Sequence, residues 1–320
     1  MYGLFALSAA IILASCSQLP IFWAIEQEIK LAEPAIKGNV YSVVRCGNDL
    51  YAANGNVYKK PLKSVRGWIE FPKPEEGRTT HLASDGTNLY ALNAQTSSGT
   101  TNYQVWVSPT ASGSWQKISG ASGSDVVIFD NGDVNAYVRV GGKVFKLNGN
   151  DSVSALGSDI TTNGANAKTI AVVRFGSDDY FWNTRAFCKN GTNLYSADSK
   201  TIKHSTTFAN LATASANTSV QTSEIITCLI YVFDGTNERL IAGTKKGLEE
   251  IILDGSGVPK SAGILGSNAE AAFGESEIFC VVFFNVADNN AIYAGTGKAS
   301  ASKHNALWAY YPSRGNWNYE

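Results

Sequence analysis

One phrase recurs along this chain. Residues 85–92 read DGTNLYAL, residues 190–197 read NGTNLYSA and residues 234–243 read DGTNERLIAG. Each joins a short polar turn to an apolar run. Asp and Asn side chains bond nearby backbone N–H groups, and Gly takes the positive φ that a tight turn needs. Self-similarity at an interval of tens of residues marks an array of like units, none of which hides its apolar faces alone. Anchors on the strand residue after each turn fall at Tyr51, Tyr90, Tyr137, Tyr195, Ile241 and Tyr293, about 48 residues apart on average.

A second apolar pair follows each anchor: Val57–Tyr58, Val105–Trp106, Val144–Phe145, Thr201–Ile202, Gly247–Leu248 and Leu307–Trp308. In four units it follows within about eight residues, the length of one strand plus a tight hairpin turn. Each unit therefore predicts four short antiparallel strands, a to d. In the first unit these are VYSVVR, DLYAA, NVYKK and GWIEF. Alternation of apolar and polar residues is only partial, as expected of sheets covered on both faces. A closed ring leaves no end unit unprotected. The expected fold is thus all-β, a six-bladed β-propeller of four-stranded antiparallel blades. A seventh blade is possible in the long interval between the third and fourth anchors. That interval holds TIAVVRFGSDDYFW, an echo of YSVVRCGNDLY. Phe181 lies too close to Tyr195 for a full blade, so the segment reads as an insertion.

The chain has 320 residues, a net charge of −1 and 17% charged residues. That balance gives no footprint for nucleic acid or for an anionic membrane surface. Four cysteines, Cys46, Cys188, Cys228 and Cys280, end apolar strand-like runs and read as buried free thiols acting as small apolar residues. A Cys228–Cys280 disulfide is the alternative.

The first residues, MYGLFALSAAIILASCSQLP, hold a short apolar run from Leu4 to Leu13 with small residues after it, as a secretory signal does. Leu13, Ala14, Ser15 and Cys16 resemble a bacterial lipobox, and the resemblance implies lipidation at Cys16. Residues 1–15 would be the signal peptide, 16–38 a tether or latch strand, and 39–320 the propeller. The latch is IFWAIEQEI, at Ile21–Ile29. The competing readings are an uncleaved transmembrane helix, which Pro20 interrupts, and plain secretion.

VWVSPTASGSWQKIS, at Val105–Ser119, resembles the strand–turn–strand unit of BNR and sialidase-type propellers, with Ser108, Gly113 and Trp115 matching and the Asp absent. The layout after the signal resembles spirochaete-type lipoproteins built as propellers. The implied location is the bacterial cell envelope, with the lipid in a membrane.

No metal site or cofactor is expected, because His81, His204 and His304 fall in different units and none has a partner at ligand spacing. DNGD, at Asp130–Asp133, reads as a β-turn. No nucleophile-elbow, Walker or dinucleotide motif is present. The favoured function is a non-enzymatic module that binds a protein or glycan on the face carrying the b–c turns. Its candidate residues are Tyr180, Phe181, Trp182 and Arg185 in SDDYFWNTR, with Tyr103 and His304 in the two enlarged b–c loops, Ala94–Tyr103 and Gly297–Asn305. Aromatics beside Arg are typical interface anchors. The alternative is a sialidase-like enzyme whose carboxylate-binding arginines would be Arg45, Arg174 and Arg185, near the channel ends of the a strands. A third reading is an envelope-assembly scaffold.

Overall fold

The computed structural model describes residues 34–62, 67–132, 134–141, 143–149, 153–155, 171–175, 178–182, 186–207, 218–284 and 290–320. The latch segment and Cys16 lie outside them, as does Arg185.

The fold is all-β, and the described residues form six four-stranded antiparallel sheets, each a simple meander. The first sheet is β1 (Ser42–Cys46), β2 (Asp49–Ala53), β3 (Val57–Pro61) and β4 (Ile69–Phe71). The second is β5 (Arg78–Ser84), β6 (Leu89–Ser97), β7 (Thr100–Ser108) and β8 (Gln116–Gly123). The third is β9 (Val126–Asp130), β10 (Ala136–Val140), β11 (Lys143–Leu147) and β12 (Val153–Ala155). A two-stranded hairpin follows, β13 (Ala171–Phe175) and β14 (Asp178–Trp182). The fourth sheet is β15 (Ala186–Asn190), β16 (Asn193–Asp198), β17 (Thr201–Ser205) and β18 (Thr218–Gln221). The fifth is β19 (Ile226–Phe233), β20 (Glu238–Thr244), β21 (Leu248–Leu253) and β22 (Pro259–Gly263). The sixth is β23 (Glu277–Phe284), β24 (Ala291–Gly297), β25 (Leu307–Tyr310) and β26 (Trp317–Tyr319). A short helix, α1 (Ala269–Phe273), precedes the sixth sheet and inserts Phe273 among Trp308 and Trp317. No helix among the described residues is long and apolar enough to cross a membrane.

All six anchor residues lie in b strands and are buried, and the paired residues that follow them lie in c strands, apart from Gly247, which sits in the turn just before β21. The apolar core is a series of seams, because both faces of each b strand are covered. Leu50 and Ala52 pack toward the sixth sheet, whereas Tyr51 and Ala53 pack toward the second. Further seams join the second sheet to the third, the fourth to the fifth and the fifth to the sixth. The a strands touch in succession from β1 through β5, β9, β13, β15 and β19 to β23, and β23 touches β1.

Isolated hydrogen bonds stitch these a strands together, among them one from the Thr227 hydroxyl of β19 to the Ile278 carbonyl of β23. The Val281 N–H donates to Cys228 Sγ, the Val43 N–H donates to Cys280 Sγ, and the Leu82 N–H donates to Ser42 Oγ at 2.9 Å. The three acceptors occupy equivalent register positions, opposite Gly243, Gly295 and Ala53. All four described cysteines are free thiols. Cys228 and Cys280 are more than apolar filler, since each accepts main-chain N–H groups. Burial raises their thiols to about 11 and about 12, which keeps them protonated.

The segment before β1 joins the first sheet to the sixth. Ala35 N–H donates to the Glu320 carbonyl at 2.9 Å, Gly38 N–H to Asn305 O at 2.9 Å and Val40 N–H to Thr296 O at 3.0 Å. The Glu320 carboxylate pairs with Lys60 of β3, accepts from Trp68 Nε1 at 3.1 Å and accepts from the Tyr311 hydroxyl at 2.7 Å.

The repeated phrase has a packing role. Asp85 accepts the N–H groups of Thr87 (2.9 Å) and Asn88 (2.7 Å), which closes the turn before β6. The Tyr90 hydroxyl then donates to Asp85 and accepts the N–H of Gly149 at 2.7 Å, in the c–d turn of the next sheet. In the second copy the Tyr195 hydroxyl donates to Gly257 O at 2.7 Å, again in the next sheet's c–d turn. In the third copy Arg239 replaces the Tyr and pairs with Asp234 and Glu250 of its own sheet.

Two expectations about loops are corrected. Ala94–Tyr103 is a strand hairpin in which β6 and β7 run on to Ser97 and Thr100. Ser98 (φ 52°) and Gly99 (φ 80°) form its tip, as a tight turn between right-twisted strands requires. The insertion read between the third and fourth units carries a strand rather than a loop at Asp178–Trp182, β14, with Tyr180 opposite Val173 and Asp179 opposite Arg174.

Candidate functional site

The a strands of four sheets converge on one cavity of about 230 Å³ at the end where the a–b turns lie. Its wall combines Val43, Val44 and Arg45 of β1, Asp130 and Gly132 at the end of β9, Ile230 and Tyr231 of β19, and Val282, Phe283 and Phe284 of β23. Residues from near both ends of the sequence thus meet across one space, because successive sheets present the same strand to it.

Two charged groups and one phenol stand on this largely apolar wall. Asp130 accepts the N–H of Ser84 at 2.9 Å and the N–H of Gly132 at 3.2 Å. Desolvation raises its carboxyl to about 6, against the pull of those two N–H groups. Burial raises the Tyr231 phenol to about 12, helped by hydrogen bonding to the Glu238 carboxylate. Arg45 donates its Nε to the Gly47 carbonyl at 2.9 Å, in the turn that follows its own strand.

A larger cleft of about 590 Å³ lies on the fifth sheet, lined by Glu238, Arg239, Glu250, Ile252 and Asp254 among others. Its charges are largely satisfied internally. Arg239 is held by Asp234 and Glu250, and Asp254 accepts the N–H groups of Ser256 and Val258 and pairs with Lys260. Self-neutralised, it is a weaker site than the cavity between the a strands despite its size.

The structure scatters the residues expected from sequence. Arg45 is on the cavity wall. Tyr103 sits in β7 and packs, half-buried, on the core between the second and third sheets. His304 ends a 3-10 turn at the b–c end of the sixth sheet, where its Nδ1 lies 2.8 Å from Ala272 O and its carbonyl accepts from Ser276 and Thr296. These contacts make His304 a structural tie. His204 is another, 2.8 Å from Asn193 Oδ1. Arg174, Tyr180, Phe181 and Trp182 are placed by backbone alone, on the β13–β14 hairpin.

Sequence reasoning missed Asp130 as a site residue, because DNGD fits a β-turn; in the structure Asp130 Oδ1 accepts the Gly132 N–H, a local side-chain-to-backbone bond. Its second oxygen serves the neighbouring sheet, and no spacing rule carries that information. Tyr231, Phe283 and Phe284 were visible only as strand residues.

Comparison with known proteins points to one group. Residues 1–135 match the TP013X lipoprotein family. The chain is similar to uncharacterized lipoproteins of Treponema pallidum (strain Nichols). One is 33% identical over 81 residues, which is 25% of this chain and 21% of that protein. A second is 31% identical over 86 residues, 25% of this chain and 18% of that protein. The chain thus spans about a fifth of the length of these curated relatives. The resemblance to spirochaete lipoproteins read from the sequence agrees with these matches. Among solved structures, the chain is similar to an ancestral GH74 enzyme, at 13% identity and a TM-score of 0.43, over 90% of this chain and 46% of that one. A chain of a nidogen/laminin complex follows at 9% identity and a TM-score of 0.37, over 72% of this chain and 80% of that one.

Proposed function

We propose that this chain is a lipid-anchored protein of the bacterial cell envelope whose β-domain is a propeller acting as a non-enzymatic binding module. The lipobox-like LASC at Leu13–Cys16 and the matches to spirochaete lipoproteins support the anchor and the location. The succession of a strands from β1 round to β23 and back supports the ring. In this reading six four-stranded blades fill the ring, and the β13–β14 hairpin occupies a seventh, abbreviated place between the third and fourth. The observation that carries the function is the central cavity, an apolar space with few polar groups at the convergence of four sheets.

The site proposed from the structure is therefore on the a–b face. The b–c face with Tyr103, His304, Tyr180, Phe181, Trp182 and Arg185 is the rival surface for a protein or glycan partner. A glycan array and a defined panel of purified envelope proteins separate the two. Val282→Trp, which fills the cavity, abolishes binding if the cavity is the site, and Trp182→Ala leaves it unchanged. The opposite pattern moves the site to the b–c face, and no binding on either panel overturns the module.

One observation favours a second reading. Arg45, Tyr231 and Asp130 share the cavity, and a sialidase-like hydrolase needs an arginine, a tyrosine nucleophile and a carboxylic acid. The raised Tyr231 phenol argues against it, since a nucleophile gains from a lowered value. Sugar release from a fluorogenic glycoside panel, lost in Arg45→Ala, would establish the enzyme.

A further inference from the structure

The central cavity holds an acid that no basic side chain offsets among the described residues. Asp130 receives two main-chain N–H groups, which are dipoles, and forms no ion pair there. Arg45, the other charged group on the wall, is turned to the carbonyl of Gly47. The same wall carries the aromatic residues Tyr231, Phe283 and Phe284, with Val43, Ile230 and Val282 among the rest. A carboxylate within an aromatic and aliphatic wall is the chemistry that holds an organic cation: the charge meets its counter-ion, the ring faces attract it, and its methylenes meet apolar surface. At about 230 Å³ the space is smaller than a drug-sized ligand needs and suits a slender alkyl chain.

We propose that this cavity binds an alkylammonium group, from a lysine side chain of a partner or from a free amine of the same shape, with Asp130 as its counter-ion and Tyr231, Phe283 and Phe284 as its aromatic wall. The inference rests on the binding-module reading and adds the class of ligand. Asp130 must be ionised to act, and its carboxyl is raised to about 6, so binding weakens as pH falls from 8 to 5. Arg45 and Tyr231 are the other charged or titratable groups on the wall, and burial raises the Tyr231 phenol, which stays neutral throughout that range.

The test is calorimetric titration of the full chain in detergent with n-butylammonium and with Nα-acetyl-lysine methylamide, using n-butanol and butyrate as controls. Both cations bind and both controls bind at least tenfold more weakly. A tighter lysine derivative identifies a peptide source, and a tighter butylammonium identifies a free amine. Asp130→Asn, which keeps an acceptor for Ser84, weakens the cations at least tenfold, and Phe284→Leu weakens them severalfold. The ¹³C shift of the Asp130 carboxyl gives an independent readout, because its titration moves below 6 when butylammonium saturates the site. Equal affinity for butylammonium and butanol, unchanged affinity in Asp130→Asn, or an unmoved carboxyl titration overturns the proposal. Partner capture that Val282→Trp abolishes but butylammonium does not compete with would discard this ligand class and leave the binding module standing.

Discussion

Gly257 has a φ of +80°, and a Cβ there would lie 2.3 Å from Asn193 Nδ2 and 3.0 Å from the Tyr195 hydroxyl. The left-handed backbone and the close approach act at the same place, so Gly257→Ala costs about 2 kcal/mol of stability in urea unfolding. Gly255, two residues earlier, has open space around its Cβ position, and Gly255→Ala changes stability by less than about 0.5 kcal/mol. Asp130 carries a pH signature. Its folded carboxyl titrates at about 6, above the value near 3.9 of an unfolded chain. The stability it contributes is therefore complete below about pH 4 and is lost as pH rises through about 6. Asp130→Asn removes that loss. Relative to wild type, the variant gains about 1–3 kcal/mol when urea unfolding is compared at pH 7.5 and pH 4.

At the scale of strands and turns, the contact between a b-strand tyrosine and the next sheet's c–d turn recurs in two places. Tyr195→Phe removes one donor to Gly257 and costs about 1 kcal/mol, whereas Tyr90→Phe breaks bonds to both Asp85 and Gly149 and costs roughly twice that. Both are read by thermal and urea unfolding. Ser98→Asn supplies the preferred residue for the left-handed first position of the β6–β7 tip and stabilises by a few tenths of a kcal/mol. These elements were legible in the sequence because turns and strand alternation are local. Tyr51, Tyr90, Tyr137, Tyr195, Ile241 and Tyr293 marked the b strands, since each must be buried wherever its sheet sits. The extended hairpin was not legible: Gln95, Thr96, Asn102 and their neighbours are polar, and a solvated two-stranded ribbon leaves no apolar alternation to read. The cavity was half legible. Arg45 lies at a strand end, a position that topology aims inward, but the meeting of Asp130 with Tyr231 and Phe283 depends on three sheets whose relative placement is not encoded locally.

Across the whole molecule, the join between the first and sixth sheets depends on a few groups remote in sequence. Lys60 and Glu320 are about nine-tenths buried, with side chains 9% and 10% exposed. Glu320→Ala leaves the Lys60 ammonium and the Trp68 and Tyr311 donors without their shared acceptor, at a cost of about 3–5 kcal/mol. Denaturant titration followed by Trp fluorescence checks this, and a loss under about 1 kcal/mol would show that the first and sixth sheets are held by apolar packing and main-chain bonds alone. Sequence could not supply this pair, because one Lys and one Glu among many carry no mark of partnership. The a strands have a different consequence. Within a sheet the amides are locked in continuous ladders, but the bonds between neighbouring a strands are isolated contacts of a sulfur, a hydroxyl or a carboxylate. Thermal fluctuation should part adjacent sheets where only those contacts hold them, widening the space between the a strands while every ladder stays whole.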